Sequence, residues 1–348
     1  VLAQIELIAK KTISVKVICT DCDEKTYQKL ILLGVEVYMT RHWVFNFFIL
    51  RKISDWLMFR RNAIKKLKSI SESNEKIIIG SVDTALAIGN YLKNYNFALN
   101  IRELYDKYPL YLFAIKSIAQ SASDVIVPEF SRANILKNWL SLEKLPRVIP
   151  NKPISHPLKR NLFITNQDAR NIIDQLHNKK ILIYQGLIDE DRSLLEVAKA
   201  LRLLNNMEFV LLVMGKENDN IITSLKNEYK NTYHINYIPA PFHLEVTSHA
   251  YIGITNYDDS SLNNLFCAPN KIYEYSGFGI PILARDIPGL RYTVGMHNVG
   301  RCIRFDNIED IAEAINDIDK NYIKFTNNSA DFFHSVDLNS LYDFLFEE

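Results

Sequence analysis

The chain has 348 residues, 48% of them hydrophobic and 23% charged, with a formal net charge of +1 and four cysteines. That length suits two domains, each able to bury its own core, and the apolar content excludes a disordered chain. No apolar run reaches the roughly 18–20 residues that span a bilayer, and residues 1–18 show no signal-peptide pattern. Cys19, Cys22, Cys267 and Cys302 make no disulfide framework in a chain of this size. Cys19-x-x-Cys22 lacks a second pair, so zinc or redox chemistry is not expected there, and a reducing, cytoplasmic setting is.

In chain order, Leu2, Ile5 and Ile8 recur at a spacing that predicts a helix over residues 2–11. Short β-branched runs predict strands at Val15–Thr20, Gly34–Met39, Lys76–Gly80, Ala98–Ile101 and Asp124–Pro128. Between and after them fall helical segments at 24–33, 50–70, 84–93, 110–120 and 130–140. Pro150, Pro153 and Pro157 mark a linker. The alternation then resumes, with strands expected at Lys180–Gln185, Glu208–Met214, His234–Tyr237, Ala250–Thr255, Ile280–Ala284 and Gly300–Ile303. Strands alternating with helices predict parallel sheets wound on both faces. Ligands of such sheets sit at the carboxyl ends of the strands. The division expected is a first domain over 1–149, a linker over 150–160, a second domain over 161–335, and a tail over 336–348 free to fold back on the first domain.

Charge divides the chain the same way. Residues 1–155 hold 23 Lys and Arg against 14 Asp and Glu, a balance of +9; residues 156–348 hold 18 against 26, a balance of −8. Residues 41–70 interleave Trp43, Phe45, Phe47, Phe48, Trp56, Met58 and Phe59 with Arg41, Arg51, Lys52, Arg60, Arg61, Lys65, Lys66 and Lys68, and Asp55 is their only acid. Aromatic and basic side chains together suit an anionic membrane surface. The alternative is a core helix with a basic outer face. No recognition motif accompanies the charge, so nucleic acid is not expected as a partner.

The most informative stretch is residues 263–281, NNLFCAPNKIYEYSGFGIP. A loop ending at Pro269 leads into a short helix carrying Lys271 and Glu274, Gly277 and Gly279 end it, and an apolar strand follows. A helix start between parallel strands presents free N–H groups to an anion. An acid one turn further in can accept from the vicinal hydroxyls of a ribose. Phosphate and ribose together describe a nucleotide.

This stretch resembles the Pro-Asn-Lys-x-x-Glu-Tyr signature of retaining GT-B glycosyltransferases, family 4 and its relatives, of the polysaccharide-biosynthesis type. The resemblance implies an α/β fold of the GT-B kind, two doubly wound Rossmann-like domains facing across a cleft. It implies that Glu274 holds the donor ribose. Residues 181–195, ILIYQGLIDEDRSLL, resemble the opening of the family's donor domain, with Gly186 at a close backbone approach and Arg192 as a diphosphate clamp; Leu187 stands where an Arg is usual. LLVMGKE (211–217) supplies Gly215, and INYIPAPF (235–242) resembles the segment that pairs with the base around Ile238. Phe266 replaces the family's first glutamate, which leaves sugar contacts to Asn263, Asn264 or nearby backbone. Asn270 and Lys271 complete the donor set. In the first domain, IIIGSVDTALAIGNYL (77–92), LNIRELYDKYP (99–109), DVIVPEFSRAN (124–134) and VIPNKP (148–153) resemble acceptor-side segments. They offer as acceptor-side cleft residues Asp83, which with Thr84 would also cap the following helix, Arg102 where a His is usual, Glu103 as acceptor or base for the incoming hydroxyl, and Glu129, Arg132 and Asn151. The family pattern also implies a strand before the first helix, ahead of residue 1.

The resemblance implies a hexosyltransferase-type enzyme, with Glu103, Arg192 and Lys271 as its catalytic residues. It would move a sugar from a UDP- or GDP-sugar to a glycan or lipid-linked acceptor with retention, in the cytoplasm or peripherally on the inner face of the cell membrane. The eight His residues show no metal-binding spacing, so neither a metal nor another cofactor is expected. A non-catalytic partner subunit of the same fold and a nucleotide-sugar epimerase are the alternatives. Phe266, Leu187 and Arg102 favour the former, while Arg192 and the intact Pro-Asn-Lys-x-x-Glu run oppose it.

Overall fold

The computed structural model describes residues 2–12, 14–40, 48–70, 75–189, 194–218 and 220–346, and the side chains of the helix over 48–70 from Ser54 to Ser69. Two compact units emerge, Val1–Pro150 with Leu338–Glu348, and Asn151–Asp337. Residues 151–160, predicted as linker, therefore cluster with the second unit.

The first unit runs α1 (Leu2–Lys11), β1 (Val15–Cys19), α2 (Glu24–Leu32), β2 (Val35–Met39), α3 (Phe48–Ile70), β3 (Ile77–Ile79), α4 (Val82–Ile88), β4 (Phe97–Asn100), α5 (Pro109–Ala119), β5 (Asp124–Val127), α6 (Phe130–Leu140) and β6 (Arg147–Val148). Its strands form two parallel sheets, β1-β2 and β3-β4-β5-β6. Phe97, Leu99, Val125 and Val127 of the second sheet are buried, as are Ala85, Ile88, Ile115, Ile118 and Leu136 of the crossover helices. The predicted helix over 84–93 is shorter because Gly89, at φ +65, breaks it, and a 3-10 turn over Gly89–Asn94 follows. Its cap also differs from expectation. Ser81 Oγ, not Asp83 or Thr84, takes the helix-start role by accepting from Thr84 N at 3.2 Å.

Helix α3 buries Phe59, Ala63 and Leu67 at a spacing of four, while Leu57, Arg61, Lys65 and Lys68 are exposed. Three of its cations have internal partners, Lys68 among them, with its Nζ 5.6 Å from the centre of the Tyr91 ring. Arg60 donates to the carbonyls of Ala87 and Ile88 at the end of α4, and Lys66 Nζ sits 3.4 Å from the centre of the Tyr38 ring. Trp43, Phe45 and Phe47 lie outside the described residues.

The second unit runs α7 (Gln167–Gln175), β7 (Lys180–Gln185), α8 (Leu195–Leu204), β8 (Phe209–Met214), α9 (Ile221–Glu228), β9 (Thr232–Ile235), α10 (His243–Thr247), β10 (Ile252–Thr255), α11 (Leu262–Leu265), α12 (Lys271–Ser276), β11 (Ile282–Arg285), α13 (Pro288–Leu290), β12 (Gly300–Ile303), α14 (Ile308–Lys320) and α15 (Tyr322–Ser335). The last short helix, α16 (Leu338–Leu341), returns to the first unit. There Lys11 bonds Asn339 O and the Asp343 carboxylate, Lys76 Nζ donates to Phe344 O at 3.2 Å, and the Arg147 guanidinium covers the Phe344 ring at 4.2 Å.

The six strands of the second unit are parallel in the order β12-β11-β10-β7-β8-β9. The chain winds outward from β7 in one direction, then returns to β10 on its other side, so the topological switch point lies between β7 and β10. Both faces are covered. Ile181, Ile183, Leu212 and Ile282 face one apolar cluster with α7, α12 and α15. Leu182, Tyr184, Leu211 and Ile254 face another with α8, α9 and α14. Two-sided burial explains why these strands read as unbroken apolar runs. Strand β11 begins at Ile282 rather than the predicted Ile280, since Gly279 has φ +65 and Pro281 has no N–H to pair.

Helix α12 is set on the sheet by one close fit. Tyr275 is fully buried, with its hydroxyl 3.4 Å from Ile183 O and 3.3 Å from Ile254 O. Its ring lies on Gly253, where an added Cβ would come within 2.3 Å of the ring. Gly253→Ala is therefore expected to destabilise the protein by about 1–3 kcal/mol, the cost of overpacking a filled core. In urea unfolding the midpoint should fall with the slope unchanged; an unchanged midpoint would show that the ring has room to retreat.

Candidate functional site

The carboxyl ends of the strands gather the predicted donor residues of the second unit. Gly186 follows β7 at φ +137, and Gly215 follows β8 at φ +154. Gly186 N bonds Met214 O at 2.9 Å and Gly215 N bonds Ile235 O at 3.0 Å, which extends the ladder past the strand ends. The two turns touch so closely that a Cβ on Gly215 would fall 1.7 Å from Gly186 O. Only glycine fits that contact and that φ.

Lys271, at the first position of α12, is 7% exposed, and its ammonium lies 4.2 Å from the centre of the Tyr184 ring and 5.4 Å from that of Tyr257. The same nitrogen would be 3.4 Å from a Cβ on Gly186. Sequence-distant Gly186, Gly215 and Lys271 are thus neighbours. Asn270 is exposed just before α12.

Glu274 sits one turn further on, with its side chain 15% exposed. Gln185 Nε2 donates to Oε2, and His243 Nε2 lies 3.3 Å from Oε1. Thr247 Oγ1 in turn donates to Gln185 Oε1 at 2.6 Å. The backbone of Glu274 is held as well, with His156 Nε2 3.0 Å from its carbonyl oxygen. Leu158 N donates to His156 Nδ1 at 3.0 Å, so that nitrogen is the acceptor and Nε2 carries the proton given to Glu274 O. Gly277 makes room for this ring, since its Cβ would lie 2.6 Å from the imidazole.

Ile238 is 7% exposed in the loop after β9. Asn264 Nδ2 donates to Asp258 Oδ1, and its backbone N donates to the capping Ser261 Oγ at 3.1 Å. Asn263 and Phe266 lie half-buried on the same turn. Asn151 Nδ2 donates to Ala268 O at 2.8 Å. The structure thus places Asn151, predicted on the acceptor side, in the second unit against the loop that leads to α12. Arg192 lies outside the described residues.

The remaining predicted residues converge at the strand ends of the first unit. Arg132, 3% exposed, donates to Arg102 O and reaches Glu103 Oε2 at 3.4 Å. Glu129 is 7% exposed and caps α6 by accepting from Ser131 N at 2.8 Å and Arg132 N at 3.0 Å. Arg102 Nη2 also donates to Gln4 at 3.4 Å. Asp83 accepts from Tyr111 OH. Tyr105, in left-handed backbone at φ 56, has its phenol pushed up to about 12 by burial first and by Asp83 and Glu103 second. Asp83, Glu103 and Tyr105 thus share one patch.

Gln185, His243, Thr247 and His156 were not singled out from sequence. A polar Gln closing the apolar run ILIYQ just before Gly186 was a usable signal; the histidines and Thr247 carried none. Among the described residues, no group of three or more His, Cys, Asp or Glu is placed to hold a metal ion.

Burial holds His156 below its ordinary value of 6.5, outweighing the opposite pull of Glu274. The unfolded chain therefore binds the extra proton first. Stability from this group is complete above about pH 6.5 and is lost as pH falls toward the lowered native value. His156→Gln should flatten that part of the profile, read as urea midpoints between about pH 7 and pH 5. An identical slope in both proteins would assign the loss to other groups.

No protein-family model matches this chain, and no curated protein matches it in sequence. Solved structures do. HepE of Anabaena, crystallised with UDP and glucose, superposes with a TM-score of 0.72 over 99% of this chain and 94% of its own, at 11% identity. A glycosyltransferase from Rickettsia africae gives 0.67 over 99% and 94% at 13% identity. Sucrose-phosphate synthase from Thermosynechococcus elongatus gives 0.64 over 96% of each chain at 15% identity. At these identities the likeness is one of fold: two Rossmann-like α/β units of parallel strands, in the GT-B arrangement of elements.

Proposed function

We propose that this GT-B chain is a glycosyltransferase that moves a sugar from a UDP- or GDP-sugar to a glycan or lipid-linked acceptor, with retention and without a metal ion. The observation that carries the reading is the pairing on α12. A carboxylate held at the sheet's switch point, Glu274, stands one turn from a buried ammonium, Lys271, that faces the Gly186 turn. A carboxylate suits the ribose diol and an ammonium suits the diphosphate, and the switch point is where such sheets bind ligands. The likeness to HepE, which was crystallised with UDP and with UDP-glucose, supports the same choice.

In this reading Lys271 and Arg192 stabilise the charge that develops on the leaving diphosphate. Glu103, held by Arg132, accepts the hydrogen bond or proton of the incoming hydroxyl on the first unit. Glu129 and Arg132 serve by shaping that patch.

Glu274→Ala should weaken binding of the preferred nucleotide, UDP or GDP, by about 1.5–3 kcal/mol, the range for a hydrogen bond to a charged group. Isothermal titration reads this directly, and unchanged affinity in a folded variant refutes the ribose role. Lys271→Met should lower turnover by about 10²-fold. EDTA should leave the wild-type rate intact; a loss restored by magnesium would overturn the metal-free mechanism.

For the acceptor side, an anionic membrane surface is the proposed partner of α3. Trp56 and Leu57 are exposed beside Arg61, Lys65 and Lys68, and each charge near such a surface contributes about 1 kcal/mol. No helix among the described residues is long and apolar enough to cross a membrane. Flotation with anionic vesicles should be strong at low salt and fall as salt rises. Replacing Arg61, Lys65 and Lys68 with Gln should abolish it and spare the fold, because none of the three is the Arg60 that holds α4. Failure of the wild type to float would leave α3 as internal structure with a charged outer side.

A further inference from the structure

The carboxylate of Glu274 is not free to choose its own partners. An ionised carboxylate offers about four lone-pair directions, two on each oxygen. Gln185 occupies one on Oε2, and His243 Nε2 stands 3.3 Å from Oε1. Neither neighbour is free to turn away. The Gln185 amide is oriented by Thr247, whose hydroxyl donates to Oε1 and so leaves Nε2 for the carboxylate. Thr247 is fully buried and Gln185 is 4% exposed, so solvent does not compete for this arrangement. Thr247 Oγ1 also lies 3.0 Å from the carbonyl oxygen of His243, the first residue of its own helix. Thr247 thus orients the Gln185 amide through its one proton and packs against the helix turn that carries His243. The other ring nitrogen of His243, Nδ1, is buried with no hydrogen-bond partner among the described residues. The ring's hydrogen bonding is thus directed at Glu274 alone.

We propose that Thr247, Gln185 and His243 are positioning residues that hold Glu274 with one acceptor direction open on each oxygen, and so set the site to select a vicinal diol over a deoxy sugar. Two oxygens of one carboxylate, each with one open direction, match two adjacent hydroxyls. A single hydroxyl leaves one of those directions unfilled inside a mostly buried site, and an unfilled buried acceptor costs more than a hydrogen bond gains. This inference rests on the ribose reading of Glu274, and extends it from which residue binds to what makes that residue selective.

The test is the affinity ratio between ribose and 2′-deoxyribose forms of UDP and of GDP, measured by isothermal titration on the intact chain. The wild type should prefer the ribose form of its nucleotide by about tenfold or more, and Glu274→Ala should bring the ratio close to one. Thr247→Val keeps the shape and removes only the hydroxyl, and it should also bring the ratio close to one although Thr247 touches no ligand. His243→Phe should do the same, whereas His243→Gln, which restores an N–H, should recover most of the preference. A loss of stability alone would lower affinity for both forms and leave the ratio unmoved. If the wild type discriminates and Thr247→Val and His243→Gln and His243→Phe all retain its ratio, the positioning role is wrong while the ribose reading stands. If the wild type binds both forms alike, or binds neither nucleotide, the ribose reading falls and the positioning role with it. Should His243→Phe fail to fold, Thr247→Val decides the question by itself.

Discussion

The contact between the Tyr275 ring and the backbone of Gly253 is the constraint on which the second unit's site depends. A strand residue without a side chain leaves a slot at the centre of the sheet, and one aromatic ring fills it. Burying a side chain of that size contributes about 1.5–3 kcal/mol. The hydroxyl, at 3.3 and 3.4 Å from two carbonyl oxygens, adds long hydrogen bonds that matter more for position than for energy. Once Tyr275 is seated, the short helix that carries it cannot rotate or slide. Lys271 is one turn before Tyr275 and therefore faces the same way, which drives its ammonium under the Tyr184 and Tyr257 rings. Glu274 precedes Tyr275 by one residue and is turned aside, toward Gln185 and His243. The far end of the helix is held by His156 against Gly277. A six-residue helix has little stability of its own, and here its place is decided by those tertiary contacts.

The two units treat charge differently. In the second, the ammonium of Lys271 lies over aromatic faces, each worth about 0.5–2 kcal/mol to a cation, and the Glu274 carboxylate is oriented by neutral donors and an imidazole. Little of either charge is exposed, so both act at low dielectric where an arriving ligand feels them strongly. In the first unit, the buried charges are tied to local structure. Glu129 is bound to two backbone N–H groups at a helix start, where the helix dipole also favours it, and Arg132 braces the turn at Arg102 and Glu103. The more exposed Glu103 is the member of that group available to something outside the protein, since its side chain is 53% exposed against 4% for Arg132.

Much of the architecture was legible in the chain. Parallel strands buried on both faces are written as short β-branched runs, and crossover helices fall between them, so the described strands other than the two-residue β6 appear within about two residues of where periodicity puts them. The misplacements have local causes. Gly89 shortens α4, Pro281 delays β11, and Ser81 rather than Asp83 caps because a serine just before the first turn reaches Thr84 N. Glu129, expected at an open site, was instead a cap, which the sequence FSR after it does not distinguish from a free acid.

By itself, then, the sequence determined the fold class, the run of elements and the segment that holds Lys271 and Glu274, because hydrophobic period and helix punctuation are local properties of the chain. Only the tertiary structure decided which residues meet. Thr247 and Gln185 are 62 positions apart, and Gln185 and Glu274 are 89 apart, yet they form one hydrogen-bonded row. Gly253 falls within the strand expected at Ala250–Thr255, and only the helix laid over it shows that the missing side chain is the space for Tyr275. Long-range hydrogen bonds and close backbone approaches leave no periodicity behind them, since each depends on one pair of atoms brought together by the winding of the whole sheet.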